Sequence, residues 1–217
     1  MRDTLEELSK SVTTLMVNFE KFEKLSFFFA SQTSELHLKK LGGWALDIDT
    51  AQLLTRIVKI TSPINVLEFG SGTSTVILGR ALSKFPKSSL YSVDEEIEFF
   101  SETQKFLKLN DLSNVELVHA PLQKNWYAEG PLESFPIFDL IFIDGPKENR
   151  INSIDFIESH SKATTIFVID DYGSVETEGL VEALTENGRR GLKIFASEKC
   201  VAIIGDPLYL KELMNLL

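Results

Sequence analysis

The sequence has little cysteine and no excess of positive charge. Cys200 is the one cysteine among 217 residues, so no disulfide can form within the chain. The apolar residues VAII follow it, which predicts a buried strand residue rather than a nucleophile. The formal net charge is -10, and so acidic a chain offers no basic face to nucleic-acid phosphates or anionic lipid. Nucleic acid and membrane surfaces are therefore not expected partners.

Long apolar runs and a secretory signal are missing as well. No apolar stretch approaches the length of about 18 residues that a membrane helix needs. The first ten residues, MRDTLEELSK, carry three acids where a signal peptide needs a basic and then an apolar segment. We therefore expect a cytoplasmic protein. The composition, with 43% apolar and 25% charged residues, is typical of one globular domain with at most a small appendage.

The first 43 residues have a helical pattern. Their apolar residues are spaced three and four apart, at Leu5, Leu8, Val12, Leu15, Phe19 and Phe22. This spacing predicts a helix with one narrow apolar seam, too short to define a coiled coil. Two interpretations stay open: the seam packs on the chain's own core, or it forms a homodimer. We therefore expect an N-terminal helical extension over residues 1–43 and one domain over residues 44–217.

From about residue 50 the pattern alternates between strands and helices. Seven apolar runs have strand length: INVLEF, SLYSV, VELV, FDLIFI, TIFVI, LKIFA and CVAII. Segments with helical spacing lie between most of them, at 50–60, 74–85, 96–109, 149–160 and 176–186. This alternation predicts a doubly wound α/β fold with a mostly parallel seven-stranded sheet. Only residues 197–199 join the last two runs, which is too short for a crossover helix, so the last strand is expected to be antiparallel.

A glycine-rich turn follows the first strand, in the segment VLEFGSGTST at 66–75. A dinucleotide fingerprint would need a third glycine where Thr75 stands, and a Walker loop would need Gly-Lys-Ser/Thr. Glu68, two residues before the first glycine, would repel a pyrophosphate but suits an ammonium group. Asp94 ends the next strand, where a carboxylate can accept the hydroxyls of a ribose. The pattern therefore predicts a nucleoside ligand with a positive, phosphate-free tail.

The segments VLEFGSGTST, YSVDEE and FDLIFIDGP resemble those of class I S-adenosylmethionine-dependent methyltransferases, and the resemblance covers about 42–207. It implies S-adenosylmethionine as cofactor, with Glu68 and the glycines at the methionine half, Asp94 at the ribose and HAPL (119–122) at the adenine edge. The acid that contacts adenine in this family is absent from HAPL. The cofactor-binding residues implied are Glu68, Gly70, Gly72, Thr73, Ser74, Asp94, Glu95, His119, Ala120 and Asp144.

Acids also end two further strands, at Asp144 and at Asp170 and Asp171. Their spacing, with Lys147 three residues after Asp144, is similar to that of the metal-dependent O-methyltransferases that act on catechols and of their antibiotic-tailoring relatives. The similarity implies Mg2+ bound by Asp144, Asp170 and Asp171, and Lys147 as base. Asp171 departs from the asparagine of the catechol group. The alternative is that these acids only cap local turns.

The expected function is transfer of a methyl group from S-adenosylmethionine to an oxygen of a small-molecule acceptor, with Lys147 and Asp144 as the catalytic residues. Aligning the nucleophile with the activated methyl group would supply most of the catalysis. Two alternatives stay open: methylation of nitrogen or of a protein side chain, and a non-catalytic dimerising scaffold that binds S-adenosylmethionine. Trp44, Trp126 and Tyr127 form either an aromatic wall for the acceptor or core packing. Arg150 either pairs with an anionic substrate or is solvated.

Overall fold

The computed structural model describes residues 6–17, 19–20, 36–38, 46–186, 190–195 and 200–217. The chain divides into two compact units, 1–37 and 38–217, and each is described here by itself. In the first unit, residues 6–17 and 19–20 are helical (α1), as the apolar spacing predicts. Leu5, Phe22 and Trp44 lie outside the described residues, and so does residue 43, where we expect the extension to end.

The second unit alternates helices and strands. Its helices are α2 (Ile48–Thr61), α3 (Thr73–Leu82), α4 (Ile97–Leu109), α5 (Ile154–Ser159), α6 (Val175–Thr185) and α7 (Pro207–Leu216). Its strands are β1 (Asn65–Phe69), β2 (Ser89–Asp94), β3 (Val115–His119), β4 (Leu122–Gln123), β5 (Trp126–Tyr127), β6 (Phe138–Ile143), β7 (Ser161–Ile169), β8 (Gly191–Phe195) and β9 (Val201–Gly205). Short 3-10 turns occupy Gly130–Leu132 and Arg150–Ser153.

Seven of these strands form one sheet in the order β3-β2-β1-β6-β7-β9-β8, and β4 pairs with β5 in a separate hairpin. The pairs among β1, β2, β3, β6 and β7 are parallel, whereas β9 is antiparallel to both β7 and β8. The predicted mostly parallel sheet with an antiparallel last strand is therefore confirmed. The last strand nevertheless lies inside the sheet, because β8 pairs on its far side. The connecting residues 197–199 lie outside the described residues.

Three local features differ from the expectation. The predicted helix at 149–160 is α-helical only over α5, after a 3-10 turn. The helix α7 was not predicted, although Asp206 caps it by accepting from the backbone N–H groups of Leu208 (3.0 Å) and Tyr209 (2.9 Å). The prediction of a buried strand position for Cys200 was wrong: it precedes β9, is partly exposed and has φ +55°. A positive φ does not fit an extended strand, so Cys200 lies directly before β9 and not within it.

The central strands are buried on both faces. In β1 and β6, for example, Leu67, Phe69, Ile141 and Ile143 are 0% exposed. Helices that cover both faces of a parallel sheet make nearly every strand position apolar, which is why these runs are readable in the sequence. Glu68 is the one charged residue of β1, and it is also 0% exposed. A carboxylate in such a place needs polar partners, and these lie in the turn above it.

Candidate active site

A cavity of about 830 Å³ opens at the carboxyl ends of β1, β2 and β6, where open parallel sheets bind their ligands. Its volume lies within the usual range for small-molecule sites, about 300–1,000 Å³. The lining includes the predicted site residues Gly70, Gly72, Thr73, Ser74, Asp94, Glu95, Asp144, Lys147 and Asp171. The tertiary structure therefore brings together residues from the glycine turn and from the ends of three other strands.

Gly70 and Gly145 let two turns pack backbone against backbone. Gly70 has φ +92°, and a Cβ atom built on it would lie 3.0 Å from the backbone nitrogen of Gly145. A Cβ atom on Gly145 would lie 2.6 Å from the hydroxyl of Tyr127 and 2.9 Å from the nitrogen of Gly70. Neither position has room for a side chain, so the turns after β1 and β6 form one tightly joined floor. The sequence signal for Gly145 was its place directly after Asp144.

Gly72 has a different role from Gly70. Its backbone is extended, with φ 166°, and it stands at the N-cap of α3. A Cβ atom on Gly72 would meet nothing within 4 Å, and Gly72 lines the cavity. The missing side chain therefore leaves open space at the N-terminus of α3, where a ligand can approach the backbone.

Glu68 supports the turn from below and is not among the residues that line the cavity. Its Oε2 accepts hydrogen bonds from the hydroxyls of Thr75 (2.6 Å) and Ser92 (2.6 Å). The Thr75 hydroxyl oxygen in turn accepts from the backbone N–H of Gly72 at 2.8 Å. Burial raises the pKa of Glu68 from 4.5 to about 7, against the opposing effect of its hydrogen bonds. The geometry therefore connects Glu68 to the glycine turn through Thr75.

Asp94 joins the glycine turn to the end of β2. Its Oδ2 accepts from the backbone N–H (2.8 Å) and the hydroxyl (2.6 Å) of Ser71, and its Oδ1 accepts from the backbone N–H of Glu96 at 2.9 Å. A carboxylate oxygen accepts about two hydrogen bonds, so Oδ1 can accept one more from a ligand. Glu95 lines the cavity beside it, and burial raises the pKa of Glu95.

The segment expected at the adenine edge does not reach the cavity. His119 lies with its Nε2 atom 3.2 Å from the carbonyl oxygen of Glu95, and Ala120 is 0% exposed; neither lines the cavity. Trp126 and Tyr127 contact the core instead of forming a wall: both rings pack on Phe69, with centroids 5.1 and 5.2 Å away. For these two aromatics the core-packing interpretation is therefore the one observed.

The three acids of the predicted metal site lie together. Asp144, Asp170 and Asp171 each offer a carboxylate oxygen, and these atoms are all within 4.8 Å of one another. The backbone N–H of Asp170 donates to the carbonyl of Ile143 at 3.1 Å, which aligns the ends of β6 and β7. A donor set that consists entirely of oxygen atoms suits Mg2+ or Mn2+ better than zinc. The chemistry of the donors therefore fits such a cation.

Arg150 overturns one of the two interpretations that the sequence offers for it. It is not solvated, because only 7% of it is exposed, and it is one of the residues that line the cavity. Its guanidinium donates to the backbone carbonyls of Pro146 (Nε, 3.1 Å), Asp170 (Nη1, 3.0 Å) and Asp144 (Nη2, 2.7 Å). Nη2 also lies 3.5 Å from Oδ1 of Asp144 and 3.9 Å from Oδ2 of Asp171. No local pattern in the sequence signals an arginine that folds back onto two strand ends.

Comparisons with known proteins agree with this geometry. Residues 67–172, which run from β1 through the acid cluster, match a family model described as a methyltransferase domain. No curated protein matches the chain by sequence. None of the helices in the described part of the chain has the length and apolar character that crossing a membrane requires.

Many solved structures share the fold, and the following three are among them. A Klebsiella pneumoniae protein assigned as an O-methyltransferase is 21% identical, with a TM-score of 0.64 over 76% of this chain and 83% of that one. The O-methyltransferase TomG from Streptomyces achromogenes, involved in tomaymycin synthesis and solved with S-adenosylmethionine, is 18% identical (TM-score 0.62; 75% and 82% covered). An O-methyltransferase from Bacillus cereus, solved with S-adenosylhomocysteine, is 18% identical (TM-score 0.62; 86% and 90% covered). The family match over residues 67–172, which includes the glycine turn and the strand-end acids, and the fold shared with these structures together support a class I S-adenosylmethionine-dependent methyltransferase.

Proposed function

We propose that the protein transfers the methyl group of S-adenosylmethionine to an oxygen of a small-molecule acceptor bound in the cavity. One observation carries the proposal: a single cavity is lined by the open glycine turn and by Lys147 and Asp144, which can take a proton. The relatives solved with S-adenosylmethionine or S-adenosylhomocysteine, both described as O-methyltransferases, support it.

The cofactor would lie along the glycine turn. Its methionine end suits the open space at Gly72, and its ribose suits the remaining acceptor position on Oδ1 of Asp94. Thr73 and Ser74 line the same end of the cavity, and Glu95 lies beside Asp94. In this arrangement Glu68 acts through Thr75 and the turn. The cavity volume, about 830 Å³, is near the upper end for such sites and leaves space for an acceptor.

Methyl transfer needs an aligned oxygen nucleophile and a base. The acceptor hydroxyl gives its proton to Lys147 or Asp144, and its oxygen then forms a bond to the methyl carbon. The bond from that carbon to the sulfonium sulfur breaks, and its electron pair stays on sulfur, which yields S-adenosylhomocysteine and a methyl ether. Because the methyl group is already activated, holding the two reactants in line supplies most of the rate enhancement.

A divalent cation such as Mg2+ fits the same site. Asp144, Asp170 and Asp171 would hold it, since their oxygen atoms lie within 4.8 Å of one another. When bound, such a cation lowers the pKa of a coordinated hydroxyl and orients neighbouring oxygens of a substrate. Measuring turnover with added Mg2+ and after chelation tests whether the reaction uses one.

Calorimetric titration of S-adenosylmethionine tests the cofactor site, with Asp94→Asn and Asp111→Asn as matched variants. Asp94 lines the cavity, whereas Asp111 is exposed and does not. We expect micromolar binding that Asp94→Asn weakens and Asp111→Asn leaves unchanged. Release of S-adenosylhomocysteine with a panel of catechols and other hydroxyl compounds then identifies the acceptor class. Absence of cofactor binding contradicts the proposal, and binding without turnover of any acceptor favours the scaffold.

Three further expectations are proposals of the same kind: a homodimer formed through α1, a cytoplasmic location and an N-terminal extension that ends near residue 43. Sedimentation velocity of the wild-type chain and of a variant with Leu8→Glu and Leu15→Glu measures the oligomeric state and tests the first of these. Dissociation of a dimer by these changes, with cofactor affinity intact, supports a dimer seam that is separate from the active site. A monomeric wild-type protein contradicts it.

A further inference from the structure

A positively charged side chain lies beside the acid cluster that Asp144, Asp170 and Asp171 form at the ends of β6 and β7. Three carboxylates converge there, and the guanidinium of Arg150 reaches two of them, at 3.5 Å from Asp144 and 3.9 Å from Asp171. Arg150 is 7% exposed, so water screens little of its charge. The arginine is therefore part of the electrostatics of this cluster.

The backbone holds Arg150 in this position. Its Nε atom donates to a carbonyl in the turn that follows β6, Nη1 to one at the end of β7 and Nη2 to one at the end of β6. Three different nitrogens are thus engaged, which fixes the plane of the guanidinium as well as its place. A buried cation is costly unless its donors are satisfied and anions lie nearby, and both conditions hold here.

We propose that Arg150 is the resident counter-cation of Asp144, Asp170 and Asp171. Its single positive charge offsets part of the repulsion among the three carboxylates and holds the ends of β6 and β7 together without a metal. The same charge opposes a divalent cation that approaches these carboxylates, so metal binding is weak and the cavity folds without it. The inference concerns the site of the proposed function, but neither cofactor nor acceptor enters its test.

The test measures Mn2+ binding to the full-length protein by the electron paramagnetic resonance signal of free Mn2+. The variants are Arg150→Gln, which removes the charge, and Arg150→Lys, which keeps it but loses the planar fork. We expect Arg150→Gln to bind Mn2+ at least about tenfold more tightly than wild type. Arg150→Lys should stay within a few-fold of wild type, because the cluster retains a positive charge.

Thermal unfolding provides the second readout. The wild-type midpoint should not change with EDTA or with Mn2+, whereas Arg150→Gln should have a lower midpoint that Mn2+ raises again. Equal or weaker Mn2+ binding by Arg150→Gln would overturn the proposal, because the arginine would then be positioning the metal ligands. If Arg150→Gln does not fold, the wild-type protein decides: a midpoint that falls in EDTA overturns the inference, and an unchanged midpoint with weak Mn2+ binding supports it.

Discussion

The pH dependence of stability should reveal the buried carboxyl of Glu68. Burial raises its folded-state pKa to about 7 from the ordinary value of 4.5. Between these values the folded protein keeps a proton that the unfolded chain has lost. Its contribution to the free energy of unfolding is therefore complete below pH 4.5 and is lost as the pH rises to about 7. At about 1.4 kcal/mol for each pKa unit, the whole loss is about 3 kcal/mol.

Glu68→Gln isolates this effect, because glutamine has nearly the same shape and does not titrate. Urea unfolding of both proteins at about pH 5 and pH 8 should show wild type losing roughly 2 to 3 kcal/mol of unfolding free energy relative to the variant. The exposed Glu133, changed to Gln, corrects for the effect of an amide substitution as such. A difference between Glu68→Gln and wild type that does not vary with pH would refute the reasoning, since it would require an ionised Glu68 at both pH values.

Two other predictions concern the cavity floor and the base. Gly70→Ala should lower the free energy of unfolding by at least about 2 kcal/mol, because φ is +92° and backbone atoms lie 3.0 Å away. Gly72→Ala should lower the free energy of unfolding by less than about 1 kcal/mol. It should nevertheless weaken S-adenosylmethionine binding about tenfold in calorimetry, because the new methyl group would enter the cavity. Equal effects of the two substitutions on stability and on binding would contradict this distinction. Lys147→Met should lower kcat at least about 100-fold at unchanged cofactor affinity, and an unchanged kcat would assign the proton to Asp144 instead.

The sequence was most informative about elements whose burial is set locally. The run FDLIFI, residues 138–143, forms β6 as predicted. It was recognisable because a parallel strand that is covered by helices on both faces is apolar at nearly every position. The helix at 176–186 was expected from its spacing and forms α6, Val175–Thr185. In contrast, α7 was missed although its Asp206-Pro207 start is a recognisable helix signal.

Within the candidate site, strand ends were predictable and side-chain partners were not. Parallel strands end at the same edge of a sheet. The positions of Asp94, Asp144 and Asp171 at strand ends were therefore enough to predict that they line one cavity. Whether a carboxylate at that edge faces the cavity or the core depends on what packs against it. Glu68 finds two hydroxyls in the interior, at Thr75 and Ser92, and therefore supports the turn.

The sequence by itself thus determined the seven strands of the sheet, most of the helices, the glycine turn and the set of strand-end acids, because periodicity and residue type record burial and local conformation. Only the tertiary structure decided that β9 lies inside the sheet, that His119 stays away from the cavity and that Arg150 joins the acid cluster. These outcomes depend on which strands become neighbours and on distances between groups far apart in the chain. Electrostatic partners are chosen by such distances, and no local pattern encodes them.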